Sequence, residues 1–300
     1  MRVRALDRRP SPFTTLFPAE VLTLELWGGR EVSLFVKQLG SEQADHPDKK
    51  CRDREVRVYE ELLADPALPV PRYYGSARNG ESGRLEVFLQ YVDDLSLKYQ
   101  PVTHWLTASR RLAELHAHFA ARAAELSGRG FLLRLDTDYL RGWADRAVAV
   151  VRELYPESAA GLEEVVRDYA RVTDLLARQP PTLVHNDLSP KNVLADRSVT
   201  PAGVYFVDWE TAGVGCGVSD LVHLKYGLGP EDDQHMCAAY RAGLEGTGLV
   251  PADPGEWDAV LAACELHKTV YRLASCRAWG LPAARITGWV AEARGFLSRV

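Results

Sequence analysis

Two short apolar, β-branched runs, each ending in a polar cluster, constrain this chain more than anything else in it. They are Leu183-Val-His-Asn-Asp-Leu-Ser-Pro-Lys-Asn-Val-Leu194 and Val204-Tyr-Phe-Val-Asp-Trp-Glu210. Runs of this kind read as buried strands. Asp187 and Asn192 lie five residues apart, and Asp208 follows sixteen residues after Asn192, beyond a short hairpin. A carboxylate, a side-chain amide and a second carboxylate at adjacent strand ends are suited to orienting a hydroxyl nucleophile and holding Mg²⁺ beside a nucleoside triphosphate. Asp187 is the candidate base, because a fixed carboxylate aligns the hydroxyl and takes its proton as the new bond forms. Asn192 offers the metal a neutral oxygen and Asp208 an anionic one; two protein ligands suffice for an ion that keeps water and phosphate oxygens. Each residue also has an ordinary reading, as a helix cap or an Asx turn. The three together at these spacings favour chemistry. Lys191 is a candidate contact to the transferred phosphate, with a solvated lysine as its alternative. His185 is read as structural, hydrogen-bonded to nearby backbone.

The bulk properties agree with a globular protein: 46% hydrophobic and 26% charged residues. A net charge of −5 argues against a nucleic-acid or membrane-surface partner, since neither finds a basic field. Five cysteines form no C-x-x-C pair, which fits a reduced compartment. The N-terminus lacks the apolar core of a signal peptide, and no apolar run approaches the ~20 residues that cross a bilayer. The expectation is a soluble, cytoplasmic protein.

The first ninety residues read mostly as strands. Glu20–Trp27 and Glu31–Lys37 alternate around Gly28-Gly29, a strong hairpin signal. A helical pattern covers Cys51–Ala64, with Val56, Tyr59, Leu62 and Leu63 on one face, and prolines end it. A second hairpin turns at Arg78–Arg84 and returns along Leu85–Val92. Beyond Asp93-Asp94 helical periodicity dominates, with stretches near 105–119, 139–154, 159–176, 232–245, 256–279 and 283–300. This predicts a small β-rich half at 1–94 and a helical half that carries the chemistry at 95–300. Lys37 closes its strand. Such a lysine usually snorkels to water, but in a phosphotransferase it clamps the α- and β-phosphates and is itself held by a helical carboxylate. Glu55 is the favoured partner over Glu60 and Glu61, which lie nearer the polar side and the helix end.

His185-Asn-Asp-Leu-Ser-Pro-Lys-Asn192 followed by Val207-Asp-Trp-Glu210 resembles the aminoglycoside phosphotransferase/choline kinase family, whose pattern is H-[GN]-D-x-x-x-x-N, then I/V-D-W/F-E, a glycine-containing loop and D-L. Ala212–Leu221 matches that extension, and Leu112-Ala-Glu-Leu-His116 resembles the helix that precedes the catalytic loop. The resemblance implies an α+β, bilobal protein-kinase-like fold, with a small β-rich N-lobe carrying one helix and a larger, mainly helical C-lobe. It implies Asp187 as base, Mg²⁺ on Asn192 and Asp208, and Lys37 paired with Glu55 around ATP, GTP being the alternative. It places the purine hinge at Leu89–Val92, hence Gln90, Tyr91 and Val92 at the nucleotide, and makes Asp220 a brace of the catalytic-loop backbone. The phosphate-covering loop at 9–20 departs from the kinase pattern, since it holds no glycine; Ser11, Thr14 and Thr15 offer hydroxyls and N–H groups instead.

The acceptor is a hydroxyl on a small molecule: an aminoglycoside, a sugar or another natural product. Acidic residues along 136–164 and the run Glu231-Asp-Asp233 are candidates for a polycation. Trp105, Trp143, Trp257 and Trp279 are candidates for a choline or sugar platform, although helical tryptophans are more often core. The alternatives are a kinase for Ser/Thr of a small peptide, a silent nucleotide-binding regulator, and a metallohydrolase, which lacks the further ligands it would need.

Overall fold

A computed structural model describes residues 2–11, 18–39, 46–80, 83–92, 96–196 and 203–300. Its elements in chain order are β1 (Val3–Pro10), β2 (Ala19–Leu26), β3 (Glu31–Gln38), α1 (Arg54–Glu61), β4 (Tyr73–Arg78), β5 (Leu85–Gln90) and α2 (Val102–Ala120). There follow α3 (Ala123–Ser127), β6 (Leu133–Arg134), α4 (Thr137–Leu154), α5 (Pro156–Arg167), α6 (Ala170–Ala177), β7 (Pro181–Val184), β8 (Val193–Asp196) and β9 (Gly203–Phe206). The last are β10 (Gly213–Cys216), α7 (Val218–Leu224), α8 (Pro230–Gly243), α9 (Pro254–Ser275) and α10 (Ala283–Leu297). The α+β arrangement expected is present: a β-rich part with one helix, and a mainly helical part.

The chain divides into two compact units, 1–111 with 190–212, and 112–189 with 213–300. The first is built on an antiparallel sheet in the order β1-β2-β3-β5-β4. Gly28 and Gly29 turn the β2–β3 hairpin at φ +108° and +81°, conformations that suit glycine. The edge strand β1 leaves no alternating pattern in the sequence, because its residues are all exposed and half of them are charged. Ion pairs from Arg4 to Glu25 and from Arg8 to Glu20 fasten it, and its charge discourages further edge pairing. The hairpin β8–β9 belongs to this unit although it lies in the later, helical half of the sequence. Its Phe206 N–H donates to Pro69 O at 2.7 Å, and Leu194 bridges Ser96. The compact units therefore follow long-range packing, whereas a division at 94/95 follows the change from strand to helical periodicity along the chain.

The second unit packs helices around a small sheet, β6-β10-β7, with β10 parallel to β6 and antiparallel to β7. Gly213–Cys216, expected within a glycine-containing loop, is this central and fully buried strand. Its glycines answer a packing demand: a Cβ on Gly213 would lie 2.9 Å from Leu133 O, and one on Gly215 2.7 Å from Leu135 Cβ. The long α9 is buried along most of its length, and its buried residues include His267, Lys268 and Thr269 as well as apolar ones. Asp136 and Asp253 cap α4 and α9 by accepting from Tyr139 and Glu256 N–H. The periodic stretch 159–176 is two helices, broken at Asp168–Tyr169, where Tyr169 is buried and its hydroxyl bonds to His267 Nδ1 at 2.8 Å. Among the described residues no helix is long and apolar enough to cross a membrane.

Candidate active site

In the first unit, β3 delivers Lys37 and the first turn of α1 delivers Glu55. Lys37 Nζ donates to Glu55 Oε2 at 2.8 Å and to Asp208 Oδ1 at 2.5 Å. The lysine and glutamate side chains keep 14% and 2% of their surface, whereas Asp208 keeps 34%. Two carboxylates thus share one ammonium. Burial acts to lower the Lys37 pKa, but Glu55 and Asp208 outweigh it and push it up. Burial pushes Glu55 up to about 7, with Asp208 adding to the rise and Lys37 opposing it. Asp208 stands at φ +71°, a left-handed conformation uncommon outside glycine, just past the mouth of the β8–β9 hairpin. At that mouth Val207 N–H donates to Asn192 O at 2.9 Å. Asn192 and Asp208 therefore flank the same hairpin end. An amide oxygen and a carboxylate are hard oxygen donors, and they fit Mg²⁺.

Two basic residues around this group carry no signal in the sequence. Lys49 Nζ lies 2.6 Å from Glu210 Oε1, and Arg54 donates to Glu210 O at 2.6 Å and to Asp48 O. They anchor the end of the Val207-Asp-Trp-Glu210 segment, and no periodicity marks either one. Trp209 turns inward, fully buried, with its indole N–H on Phe206 O at 3.1 Å.

The other nucleotide-side candidates are placed as follows. Gln90 N–H donates to Arg72 O at 2.8 Å, and Gln90 Oε1 accepts from Arg72 N–H. Tyr91 N–H donates to Ser33 O at 3.4 Å, while its hydroxyl accepts from Arg9 at 3.1 Å. Val92 is buried. Ser11 is buried, its N–H on Ala19 O at 2.8 Å, whereas Thr14 and Thr15 fall outside the described residues. Lys191 is exposed in the short 3-10 turn Pro190–Asn192.

Asp187 belongs to the second unit, in the loop that leaves β7. Asp220, buried at the start of α7, accepts from His185 N–H at 2.7 Å and Asn186 N–H at 2.9 Å. It therefore braces the backbone on which Asp187 stands. Burial acts to raise the Asp220 pKa, but the bond from His116 and its charge prevail and lower it. His116 Nε2 lies 3.3 Å from Asp220 Oδ2, and His116 Nδ1 lies 2.7 Å from Tyr240 Oη. His185 is buried and accepts Asp187 N–H at Nδ1, 3.3 Å, the backbone bonding expected of it.

Several candidates for the acceptor are engaged elsewhere. Glu153, Glu163 and Glu164 pair with Arg277, Arg152 and Arg294, and Asp233 pairs with Lys225. Trp105, Trp143 and Trp257 are core residues; Trp279 is half exposed.

Known proteins share this architecture. An ethanolamine kinase from Plasmodium vivax superposes with a TM-score of 0.62 at 12% identity, covering 98% of this chain and 83% of its own. A choline kinase from Streptococcus pneumoniae gives 0.59 at 14%, covering 100% and 95%. The GDP complex of an aminoglycoside 2'-phosphotransferase gives 0.62 at 16%, covering 99% and 91%. At such identities the likeness concerns the fold. The comparison with curated protein sequences returns no match. The sequence profile of the phosphotransferase enzyme family, however, matches residues 22–260. With most of its length inside that profile, the chain belongs to the phosphotransferase enzyme family.

Proposed function

We propose that this chain moves the γ-phosphoryl group of ATP to a hydroxyl of a small molecule. The observation that carries the reading is Lys37, nearly buried and bonded at once to Glu55 and to Asp208. A lysine so placed is pre-oriented: Glu55 holds its ammonium from one side while the same ammonium faces the carboxylate proposed to hold the metal. Its role is to grip the α- and β-phosphates, a contact for which Asp208 now substitutes. Asn192 and Asp208 hold Mg²⁺, which supplies charge neutralisation at the phosphates when bound. Asp187 orients the acceptor hydroxyl and receives its proton. Lys191 contacts the transferred phosphate. The base of the nucleotide reads the backbone of 90–92, and Ser11 opens the segment that covers its phosphates. GTP is the alternative donor, since one protein of like fold is a GDP complex.

The acceptor we propose is a hydroxyl compound of the kind named for proteins of like fold: choline, ethanolamine, aminopropanol or an aminoglycoside. A panel of these with Mg²⁺ and either ATP or GTP tests the reading. One acceptor is expected to be phosphorylated in step with nucleoside diphosphate release. Chelation of Mg²⁺ or Asp187→Ala abolishes the product. Nucleotide binding with no transfer to any acceptor, or undiminished transfer by Asp187→Ala, overturns it.

A further inference from the structure

Asn186, immediately before Asp187, stands at φ +65°, where residues other than glycine seldom settle. Two bonds hold it there. Its backbone N–H donates to Asp220 Oδ1, and its side-chain Nδ2 donates to Tyr139 Oη at 2.9 Å. The loop pattern admits glycine or asparagine at this position. Glycine takes the conformation without strain; asparagine takes it with a side chain that can be tied down.

Tyr139 is a firm support. It sits in the first turn of α4, its own N–H on the Asp136 cap at 3.0 Å. Its ring meets Trp143 edge-on at 6.5 Å and lies 6.2 Å from His267. Trp143 in turn packs on Tyr271 at 4.5 Å, and His267 is held by Tyr169. The hydroxyl that receives Asn186 is therefore carried by a packed aromatic group and not by a loose surface side chain.

We propose that Tyr139 is a positioning residue for Asp187, acting through the side chain of Asn186. Asp220 holds the loop backbone from one side, and Tyr139 holds the Asn186 side chain from α4, so that the turn presenting the Asp187 carboxylate is fixed at two points. A base must sit within hydrogen-bond reach of its hydroxyl, and small misplacement costs rate. The positioning role rests on the part proposed above for Asp187; the tether does not.

Hydrogen exchange of the full chain, read on the peptide covering 183–189, tests the tether in the wild type, Tyr139→Phe, Asn186→Gly and the double variant. Tyr139→Phe is expected to speed exchange in that peptide about tenfold while α4 peptides keep their rates. Asn186→Gly and the double variant are expected to match each other, because neither has a tether to lose. Unchanged exchange in Tyr139→Phe, or equal acceleration in both backgrounds, overturns the proposal. The catalytic arm uses Mg²⁺ and ATP with water as acceptor. Tyr139→Phe lowers kcat about tenfold with KM for ATP within about twofold, and has no further effect once Asn186 is glycine. An equal fall in both backgrounds overturns the positioning role. A wild type inert toward water and every panel acceptor sinks the proposed function and leaves the tether to stand on exchange alone.

Discussion

At the scale of single residues, the group Lys37, Glu55 and Asp208 has an uneven charge balance. Two carboxylates face one nearly buried ammonium, so removing different members has unequal consequences. Lys37→Met leaves two adjacent carboxylates without their cation, a change expected to cost about 3 kcal/mol. Glu55→Gln keeps a hydrogen-bonding partner for Lys37 and leaves a one-to-one pair with Asp208, so its cost is expected below about 1 kcal/mol. Adding Glu55→Gln to Lys37→Met is expected to recover part of the loss. Urea unfolding of the three variants checks the order, and equal losses for the two single changes would refute this account. The partnership of Lys37 and Glu55 was legible because strand alternation fixes where the lysine ends and helical phase separates Glu55 from Glu60 and Glu61. Lys49 and Arg54 were not legible. Their partner Glu210 lies 161 and 156 residues away in sequence, and no local rule ties a cation to so distant a carboxylate.

At the scale of elements, local patterning served where burial is one-sided and failed where it is absent or complete. The β2–β3 hairpin and α1 show alternation and 3.6-residue spacing because one face of each is covered. β1 is exposed throughout and β10 buried throughout, and neither leaves such a trace. In β10 the glycines looked like loop residues, yet they stand where β6 and Leu135 come too close for a side chain. Gly213→Ala is therefore expected to destabilise the protein by about 2 kcal/mol through overpacking. The same change at Gly288 should have the opposite sign. That residue is exposed within α10, with open space where its Cβ would go. Alanine there should add about 0.5–1 kcal/mol through helix propensity. Chemical denaturation of both variants gives the two signs, and a neutral Gly213→Ala would mean that β6 yields freely. Asp220 shows the same contrast in the site. Its position was legible from the motif, but its partner His116 was seen only as part of a helix phrase, and Tyr240 in α8 not at all.

For the whole molecule, buried titratable groups set how stability responds to acid, and their signs conflict. Burial pushes His267 down to about 4, and burial with the Lys268 charge pushes His223 down to about 3. Both are neutral in the folded protein near pH 5.5 and protonated in the unfolded chain, whose histidines titrate near 6.5. Their contribution is present above about pH 6.5 and is lost as the pH falls toward the folded values. Glu55 acts the other way. With its folded pKa near 7, the folded state holds a proton that the unfolded chain releases, so its contribution grows as the pH falls from about 7 to about 4.5. Between about pH 4.5 and 6.5 two histidines oppose one glutamate, a net uptake of roughly one proton on unfolding. That corresponds to a loss of about 1.4 kcal/mol per pH unit of acidification. Replacing His267 with Asn, which can still bond the Tyr169 hydroxyl, removes one of the two and should flatten the dependence across that window. Urea midpoints at pH 4.5, 5.5 and 6.5 measure the slope in both proteins. A slope of the same size in His267→Asn would show that the acid sensitivity arises elsewhere than in the packing of α9.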